Sequence, residues 1–309
     1  MIKSDKVQVF YSEILLMMKP KLQSVIFAIA GFILVSAIGL TQVQATQSNQ
    51  PDPSTPKPTQ VADARLNSRV EQGLEYFRDL AAQQLSLTEE LLVTLKSGDL
   101  EAAREAYVEA RPPYEEIEVL AASFEQEDSD IDARPYAFAE GEASSEFKGF
   151  HRVERFLFRD NDIEAAIPYT EELLVSIRSL IDKLDDPSNF NPSLNFEGII
   201  GLATEVPAKK ISSEEETWSG QTLLIFKHNW RGIYSQYEPF ADLLDSRITE
   251  QVDTAYEACM DSIAPFFTEG KTAAVPYTNL SAGERREIVE ASYEFRNALI
   301  QARNALGIS

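Results

Sequence analysis

The feature that most constrains this chain is a three-four step of apolar residues that starts at Val70 and hardly lapses. Val70, Leu74, Phe77, Ala81, Leu85, Thr88, Leu92 and Leu95 follow it, and that period puts them on one face of a long amphipathic helix. Ser97-Gly98-Asp99 stops this helix and starts the next. A helical stretch from Leu100 to Arg111 then meets Pro112-Pro113, and proline is tolerated in the first turn of a fresh segment, so Tyr114 to Phe124 restarts or continues with a kink. Glu125 to Ser145 carries acids, Pro135 and Gly141 and reads as a long connection, the kind of loop that is usually functional or mobile. Further helices are predicted over Phe147 to Phe158, Ile163 to Leu184, Leu194 to Val206, Glu214 to Arg247 with weak points at Gly220 and Gly232, and Ile248 to Phe267. The last runs from a capping box at Ser281 and Glu284 to about Leu306. No stretch keeps a strand period. The predicted class is therefore all-α, with short connections that favour antiparallel bundles.

Composition adds two limits. The net charge of −22 at pH 7 excludes nucleic acid and anionic membranes as partners of the general field, and favours cations. The single cysteine, Cys259, excludes an internal disulfide and a Cys-rich metal cluster, and reads as a buried small hydrophobe. Ahead of the helices, a basic Lys19-Pro20-Lys21, an apolar run from Val25 to Leu40 and Val43-Gln44-Ala45 form a secretory signal over residues 1–45. An uncleaved anchor is the rival, because the run approaches the ~18 residues that span a bilayer. Residues 46–62, rich in Pro, Gln, Ser and Thr, read as a flexible linker. The helical domain is expected over 63–309, with Asp185 to Pro192 dividing it into halves of about 63–186 and 193–309.

Two pairs carry the chemistry. His151 and Glu154 lie three apart, one position after the apolar seam of Phe150, Val153 and Leu157. Glu115 and Glu118 stand in the same register beside Tyr114, Ile117, Ala121 and Phe124. Two antiparallel helices packed seam to seam would bring both edges together. Carboxylates with one imidazole suit iron, manganese or zinc better than copper(I), and inward Glu and Glu-x-x-His sets hold iron in ferritin-like bundles. The competing reading is a solvated acidic face. His228 has no acid at helical spacing and reads as structural, and Glu214-Glu215-Glu216 reads as an acidic first helical turn. GxSxG, P-loop, Rossmann and zinc-protease motifs are absent from the sequence, and no residue is assigned a catalytic role.

Ser97-Gly98-Asp99-Leu100, Ala110-Arg111, Tyr114-Glu115, Ile117-Glu118, Ile131-Asp132-Ala133-Arg134, Gly149-Phe150-His151-Arg152-Val153-Glu154, Lys210-Ile211-Ser212 and Glu214-Glu215-Glu216 occur in that order. This series resembles the EfeO/EfeM branch of the imelysin-like family, in its short form without a cupredoxin domain. The resemblance implies two four-helix bundles and a periplasmic component of an iron-uptake system. It implies ferrous or ferric iron as the bound metal, with zinc or another divalent cation as the substitute. The implied ligands are His151 and Glu154, with Glu115, Glu118 and Asp132 as partners. A membrane iron permease and a haem peroxidase of the same system are the implied protein partners. The family's Ser-His-Thr-Asp-Leu is here Ser219-Gly220-Gln221-Thr222-Leu223, without the His and Asp. A metal-dependent peptidase and a polysaccharide-binding surface protein are the alternative readings.

Overall fold

A computed structural model describes residues 58–211 and 215–308. The predicted signal segment lies outside them, as does the predicted linker up to residue 57; residues 58–62 already belong to the first helix, α1 (Pro58–Ser97). Its buried stripe runs through Val70, Leu74, Phe77 and Ala81 as predicted. Beyond Ala81 the stripe follows Gln84, Thr88, Leu91 and Leu95, so Leu91 rather than Leu92 is the core residue. The reason is Gln84, a polar side chain with a partner that sequence spacing does not show.

That partner is the break at Pro112. Helix α2 (Leu100–Ala110), capped by Asp99 accepting from the Ala102 amide, meets α3 (Pro112–Ile117) there. In an unbroken helix the Tyr114 amide would bond the Ala110 carbonyl. Instead the buried Gln84 amide stands between them: its Nε2 donates to Ala110 O at 2.7 Å, and its Oε1 accepts from the Tyr114 amide at 2.9 Å. Both backbone groups freed by the kink are satisfied inside the core, where leaving them bare would cost about 1–3 kcal/mol each.

A 3-10 turn (Glu118–Ser123) follows α3, then α4 (Glu125–Asp132). The expected long connection thus contains a helix, and Asp132 is its last residue rather than a loop residue. Helix α5 (Phe150–Glu154) passes into a π turn (Arg155–Asp160), and α6 (Ile163–Leu184) starts from an Asp162 cap. Then come α7 (Pro192–Glu205) with a second π turn (Val206–Lys210), α8 (Thr222–Tyr237), α9 (Ser246–Ile263) and α10 (Ala282–Ala305), the last opened by the predicted Ser281–Glu284 capping box. Glu215 and Glu216 precede α8 in a non-helical loop, so they do not open a helix as the sequence reading had it. The class is all-α: the one β element among the described residues is an isolated bridge between Phe267 and Ala274.

The main antiparallel pairs are α1 with α6 and α9 with α10. Helix α3 lies against both α1 and α8, and the 118–123 turn packs on α7. Helix α8 crosses α3 at Gly232, where a Cβ would stand 2.1 Å from the Glu116 carbonyl oxygen. Gly232 is therefore a close-approach position and not a weak point in the helix. Among the described residues no helix is long and apolar enough to cross a membrane.

Candidate metal centre

Gly149 places His151. Its φ of +77° is one that L side chains rarely adopt, and a Cβ there would lie 2.3 Å from the Ile131 carbonyl oxygen. The chain can therefore start α5 hard against the end of α4. Phe150 and Val153 fill the core below, while His151 Nε2 comes within 3.4 Å of Asp132 Oδ1. On the other side of the ring, Nδ1 lies 3.3 Å from Glu154 Oε2 and 4.0 Å from Glu216 Oε1. His151, Glu154 and Glu216 are all buried, and each offers a ligand atom within 4.8 Å of the others.

The loop before α8 closes this group. The Trp218 and Ser219 amides donate to Glu154 Oε1 at 2.8 and 2.7 Å. Ser219 Oγ donates to Glu216 Oε2 at 2.8 Å, and the Tyr107 hydroxyl donates to the same carboxylate oxygen at 3.1 Å. Where the family pattern has Thr and Asp, Gln221 is locked to the Ala274 backbone and Thr222 accepts from the Glu216 amide.

The expected seam-to-seam packing of α3 on α5 does not account for the meeting of the two acidic pairs. Arg111 links them indirectly: it touches Glu115 of one pair and reaches the other only by way of Asp132 and Glu216, which flank His151. The fully buried Arg111 guanidinium stands 2.8 Å from both Asp132 Oδ1 and Glu216 Oε1, and stacks 4.7 Å from the Phe150 ring centre. Glu115 also accepts from Asn229 Nδ2 at 3.1 Å. Glu118 sits further out, in the 3-10 turn, held by Lys210 at 2.8 Å and by Asn229. Arg134 and Lys210 both pair with Glu215. Glu115, Glu118, Asp132, Glu215 and Glu216 thus share Arg111, Arg134 and Lys210, and Glu154 faces His151, so six acids surround three fixed cations.

Burial and charge set the protonation. Burial opposes ionisation of Glu154, but His151 and the two loop amides outweigh it and hold its pKa below the usual range. Asp132 is held well below that range against the same burial cost, by Arg111, Arg134 and His151. Burial pushes Glu115 up to about 8, with Arg111 pulling the other way. Glu216 is raised by burial and by the neighbouring Glu154. Burial disfavours the charged form of His151, yet Asp132 and Glu154 keep its pKa above the ordinary value. His151 Nε2, Asp132 Oδ1 and Glu115 Oε1 are buried without a well-directed hydrogen bond. An imidazole among buried carboxylates that outnumber the fixed cations around them fits a hard or borderline cation.

Sequence reasoning named His151, Glu154, Asp132, Glu115 and Glu118, and missed Glu216 and Arg111 as members of the cluster. The signal for Arg111 was its register: it follows Tyr107 by four and precedes Tyr114 by three, on a buried stripe, and a buried guanidinium demands acids around it. Glu216 gave no comparable signal, because it reaches the centre from an irregular loop. His228 does have an acidic partner, across the helix packing rather than along its own helix: its Nδ1 lies 2.7 Å from Glu116 Oε1.

Fold and site together define an all-helical protein with a buried carboxylate–histidine cluster at the crossing of its helices. The chain belongs to the imelysin family, whose profile matches residues 72–306. It is 30% identical over 236 residues to the iron uptake system component EfeO of Yersinia pseudotuberculosis serotype I (strain IP32953), covering 75% of this chain and 62% of that protein. It is 31% identical over 217 residues to the iron uptake system component EfeO of Escherichia coli (strain K12), covering 69% of this chain and 57% of that protein. The chain therefore spans about three-fifths of the length of these relatives.

Proposed function

We propose that this protein is an exported, periplasmic iron-binding component of an iron-uptake system, which holds iron as cargo and passes it to a membrane permease, with a haem peroxidase as the second partner. The observation that carries the reading is the buried triad of His151, Glu154 and Glu216, with ligand atoms within 4.8 Å of one another. Similarity to two proteins named as iron-uptake components supports it. In this reading His151 Nδ1, Glu154 and Glu216 bind the ion. Asp132 Oδ1, 3.4 Å from Nε2, stands behind the ring and orients it, as carboxylates behind metal-bound histidines do. Glu115 and Glu118 complete the acidic surround. Residues 1–45 act as the export signal and 46–57 as the linker to the helical domain, whose halves divide between 186 and 193.

Transport is preferred to hydrolysis for a physical reason. A metallohydrolase needs a carboxylate free to act as general base. Here Glu154 is held by two amides, Glu216 by Tyr107, Arg111 and Ser219, and Glu115 by Arg111 and Asn229.

The test is calorimetric titration of the purified chain with ferrous iron under anaerobic conditions, and with zinc. His151→Ala and Glu216→Ala are expected to weaken binding at least ~100-fold, on the order of 3 kcal/mol for a lost ligand, with the helical circular dichroism spectrum retained. Wild-type affinity in both variants would refute the ligand set. Metal-dependent cleavage of peptides by the wild-type protein would favour the peptidase reading.

A further inference from the structure

The neighbours Glu115 and Glu116 leave α3 in different directions. Glu115 faces the cluster just described; Glu116 faces a separate cavity of about 460 Å³ between α1, α3, α8 and the loop at Gly270–Thr272. The volume suits a small metabolite. Glu116 is nearly fully buried, accepts from the Tyr76 hydroxyl at 2.5 Å and from His228 Nδ1 at 2.7 Å, and forms an ion pair with Arg231 Nε at 3.2 Å. This fixes the histidine tautomer. With Nδ1–H donated to Glu116, the neutral ring keeps its lone pair on Nε2. Burial lowers the His228 pKa and so favours that neutral form. Nε2 has no hydrogen-bond partner among the described residues, and His228 lines the cavity.

The cations around the same cavity are the second observation. Lys227, Arg231 and Lys271 all line it. Lys227 and Arg231 are four apart on α8, an arrangement of like charges that destabilises a helix by a few tenths of a kcal/mol. Lys227 makes no ion pair among the described residues; its ammonium rests 4.5 Å from the centre of the Phe267 ring, and burial together with Arg231 lowers its pKa. Glu109, at the rim, is already bonded to the Thr272 hydroxyl. The chain has 50 acids to 28 bases, so a half-buried lysine could easily have had an acidic neighbour. A cavity lined by two lysines without an ion pair among the described residues, by Arg231 shared with Glu116, and by one imidazole lone pair suits an anion that also brings a hydroxyl donor.

We propose that this cavity binds a small hydroxycarboxylate, its carboxylate groups held by Lys227, Lys271 and the Arg231 guanidinium and its hydroxyl donating to His228 Nε2. The site does not rest on the metal reading, because it shares no residue with His151, Glu154 and Glu216.

The experiment is calorimetric titration of the metal-free purified chain with L-malate and, separately, with succinate, which lacks only the hydroxyl. Saturable one-site binding of malate is expected, with succinate about tenfold weaker. Lys227→Ala and Lys271→Ala are each expected to weaken malate at least about fivefold with an unchanged circular dichroism spectrum. His228→Phe is expected to bring malate down to the succinate level. His151→Ala is expected to leave malate binding intact, which separates this cavity from the metal centre. Equal affinity for the two acids, undiminished malate affinity in Lys227→Ala, or no saturation by roughly 5 mM malate, would each overturn the proposal.

Discussion

Replacing Arg111 by methionine tests the electrostatic account of the centre most directly. Methionine keeps an unbranched stem against Phe150 and adapts to irregular space, so the main loss is the charge. In the native protein that charge faces Glu115, Asp132 and Glu216, all within contact distance and all out of water. Breaking a buried ion pair from one side costs about 3–5 kcal/mol, because the partner is left charged and unpaired. The loss of stacking on Phe150 adds about 1–2 kcal/mol. Urea denaturation at pH 7.5 with chelator present is expected to show a loss in the range of about 4–7 kcal/mol. The pH dependence has a definite sign. Glu115 and Glu216, already raised by burial, lose the opposing Arg111 charge and stand further above their unfolded values near 4. Groups raised in this way favour the folded state below the unfolded pKa, and that advantage disappears as pH rises through the folded pKa. The deficit of the variant is therefore largest near pH 8 and shrinks toward pH 5. A bound cation supplies the missing positive charge, so metal at a hundredfold excess over Kd would return about 2.7 kcal/mol. A loss below ~1 kcal/mol at pH 7.5, or a loss that does not change with pH, would refute the reasoning, since isolated buried acids cannot be that cheap.

Two further predictions follow from the same geometry. Gly149→Ala forces a side chain into positive φ and into the Ile131 carbonyl; it is expected to cost more than about 1–2 kcal/mol and to weaken metal binding at the same time, read by denaturation and titration of one protein. Stability lost with no change in metal affinity would show that Gly149 does not set the position of His151. Metal affinity is also expected to fall on acidification, starting above the ordinary imidazole pKa of about 6.5, because the His151 pKa is raised and a protonated ring cannot ligate. Titrations at pH 8, 7 and 6 check this; a flat profile would remove His151 from the ligands.

The sequence by itself determined the class and most of the helices. Amphipathic spacing is a local property, and so are the Asp99 cap, the Ser281–Glu284 capping box and the break at Pro112. His151-x-x-Glu154 was also legible, because three positions on one helix settle a distance without knowledge of the fold. Asp132 and Glu115 were named in advance but not where they act. Only the tertiary structure decided that Gln84 bridges the kink, that Arg111 links the two acidic pairs by way of Asp132 and Glu216, and that Glu216 reaches His151 from a loop. These depend on contacts between residues far apart in the chain, 26 positions for Gln84 to Ala110 and 105 for Arg111 to Glu216. The pairing of Glu116 with His228, 112 positions apart, is of the same kind. Periodicity specifies which face of a helix is buried; what that face meets is set by how the helices cross, and the chemistry of this protein lies at those crossings.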